Sequence, residues 1–122
     1  MFDITETRDE ILYVVALRPH EGYEEKFDLW YDQIHIPELL ACPGFLAARR
    51  YRMVRQDLPG APEYLAVYRV EGMWAFDTPE YLALRARTSE DLDPLSREVV
   101  EHRDGLLNAK YTEVFRAEAD QG

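Results

Sequence analysis

Apolar positions along this chain change period several times, and the changes mark its elements. Residues 10–18 read Glu-Ile-Leu-Tyr-Val-Val-Ala-Leu-Arg, a β-branched and aromatic run bounded by charge and by Pro19, which predicts a strand. Over 21–36 the period becomes helical. At about 100° per residue, Tyr23, Phe27, Trp30, Tyr31 and Ile34 share an arc of roughly 100°. Glu24, Glu25, Lys26, Asp32 and Gln33 fall outside that arc. Pro37 disfavours helical geometry at Ile36, so the helix is expected to end there. Pro43-Gly44 signals a turn, and strands follow over 45–55 and 63–71 as a hairpin around the loop Gln56 to Pro62. Thr78-Pro79-Glu80 and Asp93-Pro94 each combine a capping side chain with proline at the first helical position. They predict one helix to about Thr88 and a second, short helix ended by Gly105. Residues 106–116 read as a last strand and 117–122 as a frayed tail.

The resulting order, β-α-β-β-α-β, predicts an α+β, ferredoxin-like fold: a four-stranded antiparallel sheet with both helices on one face. The first strand is nevertheless apolar on both faces, with Ile11, Tyr13, Val15 and Leu17 alternating against Leu12, Val14 and Ala16. The third sets Tyr64 and Tyr68 opposite Leu65 and Val67. An open face of that kind would be an oversized apolar patch, which a second copy laid sheet to sheet removes. A symmetric homodimer is therefore expected. The alternative is a monomer whose 89–105 segment folds over the open face.

At 122 residues the chain predicts a single domain, 1–122, with its core over about 10–116. The net charge of −10 argues against nucleic acid and against anionic membrane surfaces as partners. No apolar run approaches the ~20 residues that span a bilayer. Met1 to Glu6 is acidic and lacks an apolar signal core, so a cytoplasmic protein is expected. The lone Cys42, beside Pro43, reads as a small packed residue and excludes a disulfide within the chain. No dinucleotide or phosphate-loop pattern is present and no metal-ligand spacing stands out, so neither a cofactor nor a metal is expected.

The stretch Phe27 to Arg52, FDLWYDQIHIPELLACPGFLAARRYR, together with YLAVYRVEG after it, resembles the EthD-like branch of the dimeric α/β-barrel superfamily. The histidine-proline helix end, the Pro-Gly turn and the Arg-Tyr strand carry the resemblance. It implies a homodimer with one cavity per subunit between sheet and helices. Related barrels include polyketide cyclases, lactone isomerases, small decarboxylases, cofactor-free monooxygenases and haem proteins, so fold alone selects no reaction.

His35 is the first candidate for chemistry. It stands at the border of the apolar arc near Asp28 and Asp32, where a carboxylate would fix its tautomer and raise its basicity, giving a general acid/base. The resemblance also places such a histidine near the pocket; the competing reading is a histidine that closes the helix end. Tyr31, one turn earlier, would hold a substrate oxygen, and Trp30 would wall the pocket. Strand alternation sets Phe45, Arg49 and Tyr51 on one face and Arg50 and Arg52 on the other. Arg50 is the candidate for orienting a substrate anion, with Tyr51, Tyr68 and Tyr13 as further binding residues. The leading expectation is a cofactor-independent enzyme, of cyclase, isomerase or decarboxylase type, acting on a hydrophobic aromatic or polyketide-like carbonyl compound with His35 moving a proton. The alternatives are a cofactor-free monooxygenase, a non-catalytic metabolite-binding or stabilising dimer, and haem binding through His35.

Overall fold

The computed structural model describes residues 10–120. Strands β1 (Ile11–Pro19), β2 (Phe45–Arg52), β3 (Tyr64–Val70) and β4 (Arg103–Thr112) form one antiparallel sheet in the order β2-β3-β1-β4. Helix α1 (Glu24–Trp30) runs through a single π turn, Tyr31–His35, into α2 (Ile36–Leu40). A 3₁₀ turn (Met73–Asp77), α3 (Pro79–Arg85), another 3₁₀ turn (Ser89–Asp91) and α4 (Pro94–Glu101) connect β3 to β4. Each half is a split βαβ unit, so this is the ferredoxin-like arrangement expected from the element order. Both helix starts carry the anticipated caps: Thr78 Oγ1 accepts from the Tyr81 amide at 3.2 Å, and Asp93 accepts from the Ser96 amide at 3.1 Å.

The core lies between sheet and helices. Ile11, Tyr13 and Val15 of β1 and Ala66, Tyr68 and Val70 of β3 point towards the buried rings of Phe27, Trp30, Phe76 and Tyr81. Burying each such ring stabilises the fold by roughly 1.5–3 kcal/mol over leaving it in water. Cys42 is buried as a small packed residue.

Four local expectations are corrected, and one alternative is set aside. The helix does not stop at Pro37: the Ile36 amide donates to the Tyr31 carbonyl, five residues back, and the chain stays helical to Leu40. Widening the turn by one residue accommodates a proline that has no N–H and whose ring would press on the preceding turn. Phe45 does not share a face with Tyr51, because the β2–β3 register slips between Phe45 and Ala47 and turns Phe45 into the core. The helix from Pro79 ends at Arg85, short of Thr88, and β4 begins at Arg103, before the glycine that was read as a helix stop. Finally, the 89–105 segment does not fold over the open face: Val99 of α4 joins the core on the helix side. Met1 to Glu6 lie outside the described residues, and 117–120 carry no helix or strand. Among the described residues, no helix is long and apolar enough to cross a membrane.

The opposite sheet face carries an apolar centre, as the double-sided strands predicted, with Arg49 and Arg69 among its residues. Register pairs Leu12 with Arg69 and Tyr111, and Val14 with Val67 and Ala109, so these side chains share that face. Leu12 is 42% exposed and Tyr111 50%.

Candidate active site

The π turn builds the centre of the site. In a regular α-helix, residues five apart stand about 140° apart around the axis. Here Trp30 and His35 stack, with ring centroids 4.4 Å apart and planes 15° apart. The extra residue in the turn thus brings the histidine over the tryptophan, and Tyr31 meets the imidazole edge-on at 5.4 Å. Both Trp30 and His35 line a cleft of about 240 Å³ between the helices and the β1–β4 side of the sheet.

The cleft walls come from distant segments. Tyr13, Val15 and Leu17 of β1 form its floor, and Leu39, Leu84 and Val100 give it apolar sides. Polar groups converge at its edges. Asn108 Nδ2 donates to the Tyr13 hydroxyl at 3.0 Å, and the Tyr81 hydroxyl is hydrogen-bonded to the same phenol. Arg85, Arg87 and Arg103 also line the cleft, facing one carboxylate, Glu38. Arg87 grips Glu38 in a two-point pair of 2.6 and 3.1 Å. Arg103 instead lies over the Trp30 ring, 5.1 Å from its centroid.

This field sets the state of His35. Burial, followed by the charges of Arg103, Arg87 and Arg85, pushes its pKa down to about 3. The ring is therefore a neutral imidazole at physiological pH, and in this field a weaker base than an ordinary histidine. The expected carboxylate partner is absent: Asp28 and Asp32 both turn to Arg50, at 2.7 and 2.9 Å. Arg50 is thereby corrected from a substrate ligand to a clamp between β2 and α1. Its guanidinium also covers the faces of Tyr31 and Phe27, 4.7 and 5.8 Å from the centroids.

The other candidates separate. Tyr31 is buried beside His35, and burial pushes its phenol up to about 12, so it keeps its proton. Tyr13 and Trp30 are cleft walls. Tyr68 lies in the core beneath, and its hydroxyl has no partner among the described residues. Tyr51 stands on the open sheet face, paired with Leu65, away from the cleft. Sequence reasoning missed Asn108, Arg85, Arg87, Arg103 and Tyr81. Alternation along β4 does carry a signal for Asn108, which pairs with Val15 and shares its inward face. Arg103 was hidden because the strand was expected to begin three residues later. Among the described residues, no three of His, Cys, Asp and Glu gather as a ligand set for a metal ion.

The sequence segment that supplies the sheet's first three strands, residues 10–83, matches the model of a family described as a domain of unknown function, DUF4286. The chain belongs to the DUF4286 family. No curated protein matches it by sequence. Among solved structures, this DUF4286 chain is similar to an EthD family protein from Bacillus halodurans, at 15% identity and a TM-score of 0.53 over 85% of this chain and 99% of that one. It is similar to SnoaB from Streptomyces nogalater, a cofactor-independent oxygenase, at 15% identity and a TM-score of 0.54 over 90% and 96% of the two chains. It is also similar to the monooxygenase ActVA-Orf6 of Streptomyces coelicolor in complex with nanaomycin D, at 14% identity and a TM-score of 0.55 over 98% and 100%. At these identities the DUF4286 chain shares the ferredoxin-like fold with them, the EthD likeness included.

Proposed function

We propose that this protein is a cofactor-independent enzyme that removes a proton from carbon next to a carbonyl in a small hydrophobic molecule. The observation that supports this reading is a neutral imidazole, His35, held against Trp30 inside a cleft with apolar sides and polar groups at its edges. His35 is the base. The Tyr13–Asn108 pair is the donor set for the carbonyl oxygen, and Trp30 and Leu39 exclude water from the reacting carbon. Proton transfer creates an imidazolium and an enolate together. The guanidiniums oppose the first charge and favour the second, so the best substrates are already acidic at carbon, with an aromatic ring or second carbonyl beside the C–H bond. Isomerisation, cyclisation or decarboxylation then follows from where the enolate's electron pair goes.

A second reading shares this step and differs in its sequel. The enolate passes its electrons to molecular oxygen, as a cofactor-free monooxygenase requires. The fold shared with SnoaB, a cofactor-independent oxygenase, supports it. In both readings the working unit is a homodimer in the cytoplasm, formed from one domain per chain with the apolar sheet faces in contact and one cleft per subunit.

The test uses 2-tetralone, whose C1 protons lie between a ring and a carbonyl, in deuterium oxide. Wild-type protein is expected to speed deuterium entry at C1 well above the buffer rate. His35→Gln should lower the enzymatic rate about 10²-fold, the usual scale for a lost general base. Exchange at the buffer rate in the wild type, or unchanged in the variant, removes the reading. An oxygen electrode in the same mixture separates the two sequels.

A further inference from the structure

We infer that the cleft selects molecules carrying a carboxylate or an equally delocalised anion, seated by Arg103 and Arg85 with the apolar body against Trp30. The inference specifies the substrate class of the proposed site. The first observation is a mismatch of charge: a chain of net charge −10 surrounds this one cleft with three guanidiniums and a single carboxylate. That carboxylate, Glu38, is already taken by Arg87. Among the described residues, neither Arg85 nor Arg103 has an ion pair, although acidic side chains outnumber basic ones across the chain.

The second observation is where Arg103 stands. It is held over the Trp30 indole and lines the cleft beside His35, and burial is the main cause that lowers its pKa. A guanidinium withdrawn from water without a counter-ion is costly unless something anionic completes it. Planar carboxylates match the guanidinium fork, so they fit better than a compact halide. At about 240 Å³ the cleft is smaller than a drug-sized pocket, which suits a ligand of one or two rings.

Such an anion would also change His35. Burial and, after it, the arginine charges hold the imidazole unprotonated, and a bound carboxylate offsets the second of these. Binding therefore raises the histidine's basicity at the moment a carbon acid is present.

The probes are 2-naphthoate and 2-naphthamide, which share ring shape and differ in charge, titrated calorimetrically at neutral pH. Wild-type protein is expected to bind the carboxylate at least tenfold more tightly than the amide. Arg103→Gln should erase that preference, and Arg85→Gln, at a more exposed position, should reduce it without risk to the fold. Equal affinity for the two probes, no naphthoate binding, or a preference surviving both arginine replacements overturns the inference. A preserved preference without tetralone exchange would sink the enzyme reading and leave the anion site standing. Exchange without any preference would do the reverse.

Discussion

At the scale of single residues, the decisive property of His35 is its charge. An ordinary histidine pKa is 6.5, and here the folded protein holds it near 3. Above pH 6.5 the ring is neutral whether the chain is folded or not, so it adds no pH dependence. Between 6.5 and about 3 the unfolded chain takes up a proton that the folded one refuses, so stability falls as the pH drops. One such proton corresponds to a slope of about 1.4 kcal/mol per pH unit inside that window. Urea unfolding of wild type and His35→Gln from pH 7.5 down to 4.5 isolates it, because carboxylate titrations are common to both proteins. The wild type should lose stability more steeply, and parallel curves would show that the imidazole is not held neutral. The position of His35 at a pocket was legible in the sequence, since helix periodicity put it at the border of the apolar arc; Pro37 marked no boundary, as the chain stays helical to Leu40. Its charge state was not. Burial comes first among its causes, and the arginines that add to it come from α3, the segment after it and the start of β4, so no local pattern reports a field assembled from the far half of the chain.

At the scale of elements, what sequence periodicity could not supply was the π turn. A wheel drawn at a fixed angle per residue places Trp30 and His35 apart; one extra residue in the turn stacks them. The same limit explains Arg50. Alternation gave it the correct strand face, and the i, i+4 spacing of Asp28 and Asp32 was visible, but not that the two carboxylates would converge on it. The consequence is a clamp that ties α1 to β2 and relieves repulsion between two aspartates on one helix face. Arg50→Met should destabilise the protein by about 1–2 kcal/mol, a hydrogen-bonded charge discounted because both carboxylates are half-exposed. Asp28→Asn should cost less, as Asp32 still holds the guanidinium. The affinity for 2-naphthoate should remain that of the wild type in both variants, measured alongside urea midpoints. A weakened affinity with an unchanged midpoint would return Arg50 to the binding site.

At the scale of the whole molecule, element order was readable because each strand and helix announces itself locally and few topologies fit β-α-β-β-α-β. The charge segregation was not, since a net value of −10 conceals a cationic cleft. The open sheet face was legible, in the double-sided apolar pattern of β1 and β3, and its geometry now makes the dimer testable. Val14 and Val67 sit opposite each other on the two central strands, flanked by Leu12, Ala109 and Leu65. A standard interface buries about 800 Å² per partner, which the outward face of a four-stranded sheet can provide. Two copies that each carry ten excess negative charges repel across the solvent, and the Debye length shortens from about 30 Å at 0.01 M salt to about 10 Å at 0.1 M. A dimer held by apolar burial against that repulsion should tighten as salt is added, whereas one held by ion pairs should loosen. Sedimentation equilibrium across this salt range is therefore expected to show the dissociation constant falling. Val14, paired with Val67 and Ala109, points outward, so Val14→Glu should leave the fold cooperative, yet it buries a charge in the centre of the apolar contact and should yield monomers. Wild-type protein that stays monomeric at both salt concentrations, or a Val14→Glu variant as dimeric as its parent, would mean that the two sheets do not meet through this face.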